Sequence, residues 1–107
     1  MLVRFTSKAA ASVSMFEKDA AAMLKLMSHS GTIPSAIRAK DVAGRLEIME
    51  AALEEEAAKE LPPNYENNDD EDIVVPIKRR AFPLLELMRS AVKNGEEVMW
   101  DYDHSVI

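Results

Sequence analysis

Leu2-Val3-Arg4-Phe5-Thr6 alternates strictly, with Val3 and Phe5 on one side and Leu2, Arg4 and Thr6 on the other. β-branched and aromatic residues in a two-residue period suit a pleated surface with one face buried, so this stretch predicts a short strand. At the far end, Glu96-Glu97-Val98-Met99-Trp100 repeats the pattern, with Val98 and Trp100 sharing a face. The stretch between these two strands changes period.

Ser14-Met15-Phe16-Glu17 matches a capping box, in which a serine hydroxyl accepts the N–H three residues on and the glutamate reaches back. Val13, Phe16, Ala20, Met23, Leu24 and Met27 follow at helical spacing, predicting a first helix that stops near His29, with Gly31 free to turn left-handed past its end. A second helix is expected from an Asp41 cap, with the stripe Val42, Leu46, Met49, Leu53 and Ala57, ended by Leu61-Pro62-Pro63. A third runs through Leu84, Leu85, Met88 and Val92 to Asn94-Gly95. Pro83 lies inside that pattern, so either the helix begins near Ile77 and kinks, or residues 77 to 82 form a separate turn.

The expected fold is therefore α+β: two short strands on three helices, in the order strand-helix-helix-helix-strand. Thr32–Ile37 is the candidate third strand, restricted by Pro34 to a sheet edge or else a packed loop. If successive helices alternate up and down, the two terminal strands run parallel. Phe5, Phe16, Leu46, Leu53, Pro83, Leu85 and Trp100 are the expected structural residues, and Met23, Met27, Met49 and Met88 fall where core filler belongs.

With 107 residues and 48% hydrophobic content, the chain suits one domain with one modest core, residues 1–107. Zero cysteines exclude disulfides, zinc ribbons and thiol catalysis. The longest apolar run, Ala20 to Leu24, is five residues, too short for a membrane span. The first sixteen residues lack acids, yet they fit a strand better than a targeting peptide. Residues 54 to 72 hold nine acids and one base, more than the whole chain's net charge of −6, so the rest is slightly basic. Within that stretch, residues 62–72 read as a mobile acidic loop, and residues 101–107 as a flexible tail.

Four groups carry candidate chemistry. Asp101, Asp103 and His104 offer oxygen and imidazole donors to a divalent cation, although a terminal run without a supporting second cluster reads more simply as a solvated tail. Glu66, Asp69, Asp70, Glu71 and Asp72 could meet a basic protein partner; a calcium loop would need a central glycine that is missing. Lys78, Arg79 and Arg80 form the one basic cluster, too small a field for duplex binding, so no nucleic acid is expected. His29 fits the carbonyl end of a helix better than catalysis. Nucleophile elbows and glycine-rich phosphate loops are missing, and the chain has three glycines. The balance leans away from an enzyme, with no cofactor, and toward a cytoplasmic interaction or regulatory protein that self-associates. A metal-dependent activity at the Asp/His cluster is the alternative.

Met1-Leu2-Val3-Arg4-Phe5 with Ser7-Lys8-Ala9-Ala10-Ala11, then Arg80-Ala81-Phe82-Pro83-Leu84-Leu85-Glu86 and Val98-Met99-Trp100, resembles a family of short bacterial proteins, domain of unknown function family 1840. The resemblance covers about residues 1–60 and 73–100, leaving out the acidic loop and the tail. It implies a soluble bacterial cytoplasmic protein and carries over no catalytic or binding residue.

Overall fold

The computed structural model describes residues 1–59 and 76–103 of the chain. Seven elements follow in order: β1 (Leu2–Ser7), β2 (Ala10–Phe16), α1 (Glu17–Leu26), β3 (Ser35–Ile37), α2 (Ala39–Lys59), α3 (Ile77–Asn94) and β4 (Val98–Asp103). The strands form one antiparallel sheet in the order β2-β1-β4-β3, and the helices pack on one side of it, an α+β fold.

The main departure from the sequence reading lies at residues 10–16. They are a strand rather than the approach to a helix, and β2 pairs with β1 from Leu2↔Phe16 to Ser7↔Ala10, with a register shift between Phe5 and Ser7. Ser14 caps nothing, because α1 starts at Glu17 with Phe16 as an extended cap that makes no side-chain bond. The physical reason is the alternation Ser12-Val13-Ser14-Met15-Phe16, which gives Val13 and Met15 to the inner face and Ser14 and Phe16 to the outer one once β1 is present to pair with. Phe16 is accordingly 67% exposed, not a core residue. The extra hairpin also reverses the chain once more, so β1 and β4 are antiparallel neighbours instead of parallel ones. Thr32–Ile37 does contribute an edge strand, trimmed to Ser35–Ile37 after Pro34.

The predicted stripes hold except at their last members: Ala57 of α2 is only half-buried, and Val92 of α3 is exposed while Ala91 takes the core position. Val42, Leu46, Met49 and Leu53 of α2 are buried, as are Leu84, Leu85 and Met88 of α3. They close on Val3, Phe5, Ile37, Val98 and Trp100 from the inner face of the sheet, and all four helical methionines singled out from sequence lie in that core. Asp41 sits in the first turn of α2 rather than capping it, since the helix starts at Ala39; its carboxylate still lies near the positive end of the helix dipole. Helix α3 runs unbroken from Ile77 through Pro83, which is exposed, so water can reach the carbonyl of Arg79 that proline leaves without its helical donor.

Helices α1 and α3 end alike. At α1 the His29 N–H donates to Leu24 O and the Ser28 N–H to Lys25 O; at α3 the Glu96 N–H donates to Ala91 O and the Gly95 N–H to Val92 O. Both are six-to-one, five-to-two wraps with a left-handed residue at the hinge. Gly95 fills that position at φ 67°, whereas α1 uses Ser28 at φ 59° and leaves Gly31 for a later turn in the loop. The expected end near His29 therefore comes three residues earlier, at Leu26. The acidic residues Glu66, Asp69, Asp70, Glu71 and Asp72, the Leu61-Pro62-Pro63 stop expected after α2, and His104 lie outside the described residues.

Candidate functional site

Because the helices cover one side of the sheet, the other side is open. Leu2, Arg4 and Thr6 of β1, Ala36 of β3, Met99, Asp101 and Asp103 of β4, and Ser14 and Phe16 of β2 share it by register. A shallow groove of about 760 Å³ crosses the β1, β4 and β3 part of this face, between Arg4, Pro34, Ala36 and Met99. Its floor is largely apolar, and Met99 is 40% exposed.

The polar groups of the face engage one another. Arg4 Nη2 donates to Asp103 Oδ2 at 2.9 Å, and the Asp103 carboxylate is only 5% exposed. The Ser14 hydroxyl lies at 3.5 Å from the same oxygen. Asp101 Oδ1 accepts the N–H of Tyr102 at 2.7 Å. The two aspartates read as cation ligands thus belong to β4, not to a flexible tail. They lie on one face with the Arg4 side chain opposite, so a guanidinium serves the carboxylate that a metal would have needed. Among the described residues no cluster of three metal-donor side chains occurs. Replacing Asp103 by Ala is expected to lower stability by about 1–2 kcal/mol, since a largely buried acceptor of a charged donor is lost while Arg4 can turn to water; chemical denaturation of the variant checks this, and an unchanged midpoint would contradict it.

On the inner side of the same sheet end, Tyr102 Oη donates to Glu17 Oε2 at 2.9 Å, tying β4 to the first residue of α1. That bond to a carboxylate raises the phenol above its usual pKa, with burial and the nearby negative charges of Glu17 and Asp101 acting in the same direction.

The His29 N–H belongs to the end of α1, but its imidazole does not serve the helix carbonyls as expected. Arg45 does, its Nη1 donating to Met27 O at 3.1 Å and Ser28 O at 2.9 Å. The imidazole instead accepts the Gly31 N–H at Nδ1, 3.1 Å away, and stands edge-on to Trp100 with ring centroids 4.8 Å apart. Partial burial lowers its pKa from 6.5, and the Arg45 charge lowers it further. The folded state thus favours neutral His29. Its stabilising contribution should be complete above the unfolded-chain value of 6.5 and decline as pH falls from there through the lower folded value. Thermal melts between pH 7.5 and 5 check the direction: stability should fall with acid, and His29→Gln should flatten that slope.

The helical side offers a second feature. Phe82 is exposed on α3, over a shallow groove with Ala51 and Leu85, and it is bracketed by ion pairs: Lys78–Glu54 at 2.7 Å and Arg89–Glu50 at 3.0 Å. Arg89 also reaches Glu86 at 2.7 Å, and these bonds raise its pKa above the ordinary arginine value. In the basic cluster, Lys78 is bound to Glu54, and Arg80 to Asp19 at 3.3 Å. The sequence reading missed the open face as a surface; its one signal was Arg4 and Thr6 alternating with core residues.

A family model described as Domain of unknown function (DUF1840) matches residues 1–100, so the chain belongs to that family. The match runs through the acidic segment that the motif resemblance had left out. No curated protein and no solved structure matches the chain. No helix among the described residues is long and apolar enough to cross a membrane.

Proposed function

We propose that this member of the DUF1840 family is a non-catalytic interaction or regulatory module that works as a homodimer in the bacterial cytoplasm. The observation that carries this reading is the one-sided covering of the sheet: its outer face presents Phe16 and Met99 to solvent, and its longer edge strand carries no charge. On that face Arg4 and Asp103 hold each other, an arrangement suited to fixing strand register rather than to exchanging protons with a substrate. The acids Glu66, Asp69, Asp70, Glu71 and Asp72 supply negative charge suited to a basic protein. Engagement of Lys78 and Arg80 by carboxylates supports a protein partner over nucleic acid.

Sedimentation velocity tests the reading. Over a wide dilution range, a species of twice 11.9 kDa that dissociates on dilution is expected. A single species at 11.9 kDa throughout would overturn self-association. A saturable rise in melting temperature with a divalent cation would favour metal binding by Asp101, Asp103 and His104 instead.

A further inference from the structure

Both ends of the sheet are edges, but they differ in kind. Strand β3 is three residues long, preceded by Pro34 and followed by Arg38, two devices that blunt an edge. Strand β2 is seven residues, Ala10-Ala11-Ser12-Val13-Ser14-Met15-Phe16, with no charge and no proline. Its open hydrogen-bonding groups follow from the ladder. Glu17 N–H donates to Met1 O at 2.8 Å, just beyond the Leu2↔Phe16 pair. In an antiparallel ladder bonded and non-bonded pairs alternate, so Met15 and Val13 turn their backbone groups toward β1, and Ser14 and Phe16 turn their N–H groups away from it. Among the described residues, no backbone group answers them.

We infer that the homodimer forms by antiparallel pairing of β2 with β2 of a second copy, with Ser14 at the twofold axis, joining two four-stranded sheets into one of eight strands. The inference rests on the homodimer reading above and names its joint. Antiparallel pairing about a twofold requires a strand complementary to itself, and β2 has that property. With Ser14 facing its own copy, Phe16 lies beside Ser12 of the second copy on the outer face, a large side chain against a small one. Met15 lies beside Val13 on the inner face, where both are only half-buried in the single copy, so the joint completes their cover. The paired residues 12–16 stop short of α1, and the register shift of the β1–β2 ladder falls beyond Val13, so the pairing uses the regular part of the strand. The groove along β1, β4 and β3 stays open in each copy.

Ser14 is exposed and outward, so a longer side chain there gives up the 3.5 Å contact with Asp103 and leaves the core undisturbed. Ser14→Lys places two ammonium groups face to face on the axis, and Ser14→Glu two carboxylates. Each variant alone should sediment at 11.9 kDa with an unchanged circular dichroism spectrum, and an equimolar mixture should recover the doubled mass as a Lys/Glu heterodimer. If wild type is dimeric and both variants remain dimeric alone, the joint lies elsewhere, with the Phe82 surface next to test, and this inference fails while the homodimer reading stands. If both are monomeric and their mixture stays monomeric, the Ser14 register is wrong. A monomeric wild type would overturn inference and reading together.

Discussion

Replacing Trp100 by Ala is expected to lower the unfolding free energy by about 3–5 kcal/mol, the range for removing a buried aromatic from a core. Trp100 is 2% exposed at the middle of the sheet's inner face. Phe5, its register partner on β1, lies 5.6 Å away between ring centroids, and His29 meets the indole edge-on. Its Nε1–H donates to Thr32 O at 2.9 Å, which fastens the loop leading into β3. Ala would leave a cavity and strip that carbonyl of its donor at once. Trp100→Phe keeps most of the apolar contact and loses the hydrogen bond, so its cost should be smaller, about 1–3 kcal/mol. Urea unfolding followed by circular dichroism measures both, and a loss below about 1 kcal/mol for Trp100→Ala would contradict the central place given to this ring.

A comparably large effect is expected for Phe5→Ala, about 3–5 kcal/mol, with Phe16→Ala within about 0.5 kcal/mol for the dissociated chain. Both phenylalanines stand in alternating stretches, Phe5 between Arg4 and Thr6 and Phe16 between Met15 and Glu17. Phe5 is fully buried between the sheet and the helices; Phe16 points from the outer face at the strand-to-helix corner. Denaturation at concentrations low enough to dissociate the proposed dimer separates them. Equal losses would mean that the faces of β2 are reversed. At higher concentration Phe16→Ala should weaken association, since Phe16 flanks the proposed twofold.

How far the fold could be read from sequence depended on the length of each pattern. The α2 stripe from Val42 to Leu53 spans three turns and every member is buried. The terminal strands were legible because Val3/Phe5 and Val98/Trp100 alternate with polar or exposed partners. Residues 10–16 were not, because Val13 and Phe16 satisfy a helical spacing as well as Val13 and Met15 satisfy a strand, and Ser14-x-x-Glu17 imitates a cap. Pairing with β1 decides between them, and no local signal contains it. Propensity assigns the left-handed residue after α1 to Gly31, yet the chain turns at Ser28, where the bonds to Lys25 and Leu24 outweigh the serine's preference.

The candidate site was less legible because its contacts are long-range. Asp103 meets Arg4 across 99 positions of sequence, and His29 meets Trp100 through the docking of α1 on the sheet. Read locally, Asp101 and Asp103 belong to a solvated tail or, as the alternative, offer donors to a cation, and His29 fits a helix cap. Register and packing give their neighbours other work, with Arg4 on the carboxylate and Arg45 on the helix end.

Amide hydrogen exchange at Ser14, followed by NMR at several protein concentrations, tests sheet-mediated self-association most directly. The Ser14 N–H faces away from β1, so protection there can come only from a strand added to the edge. Protection of Ser14 approaching that of Val13 at high concentration, and lost on dilution while Val13 stays protected, is the expected result. Rapid exchange at Ser14 at every concentration, in a protein that nonetheless sediments as a dimer, would contradict it.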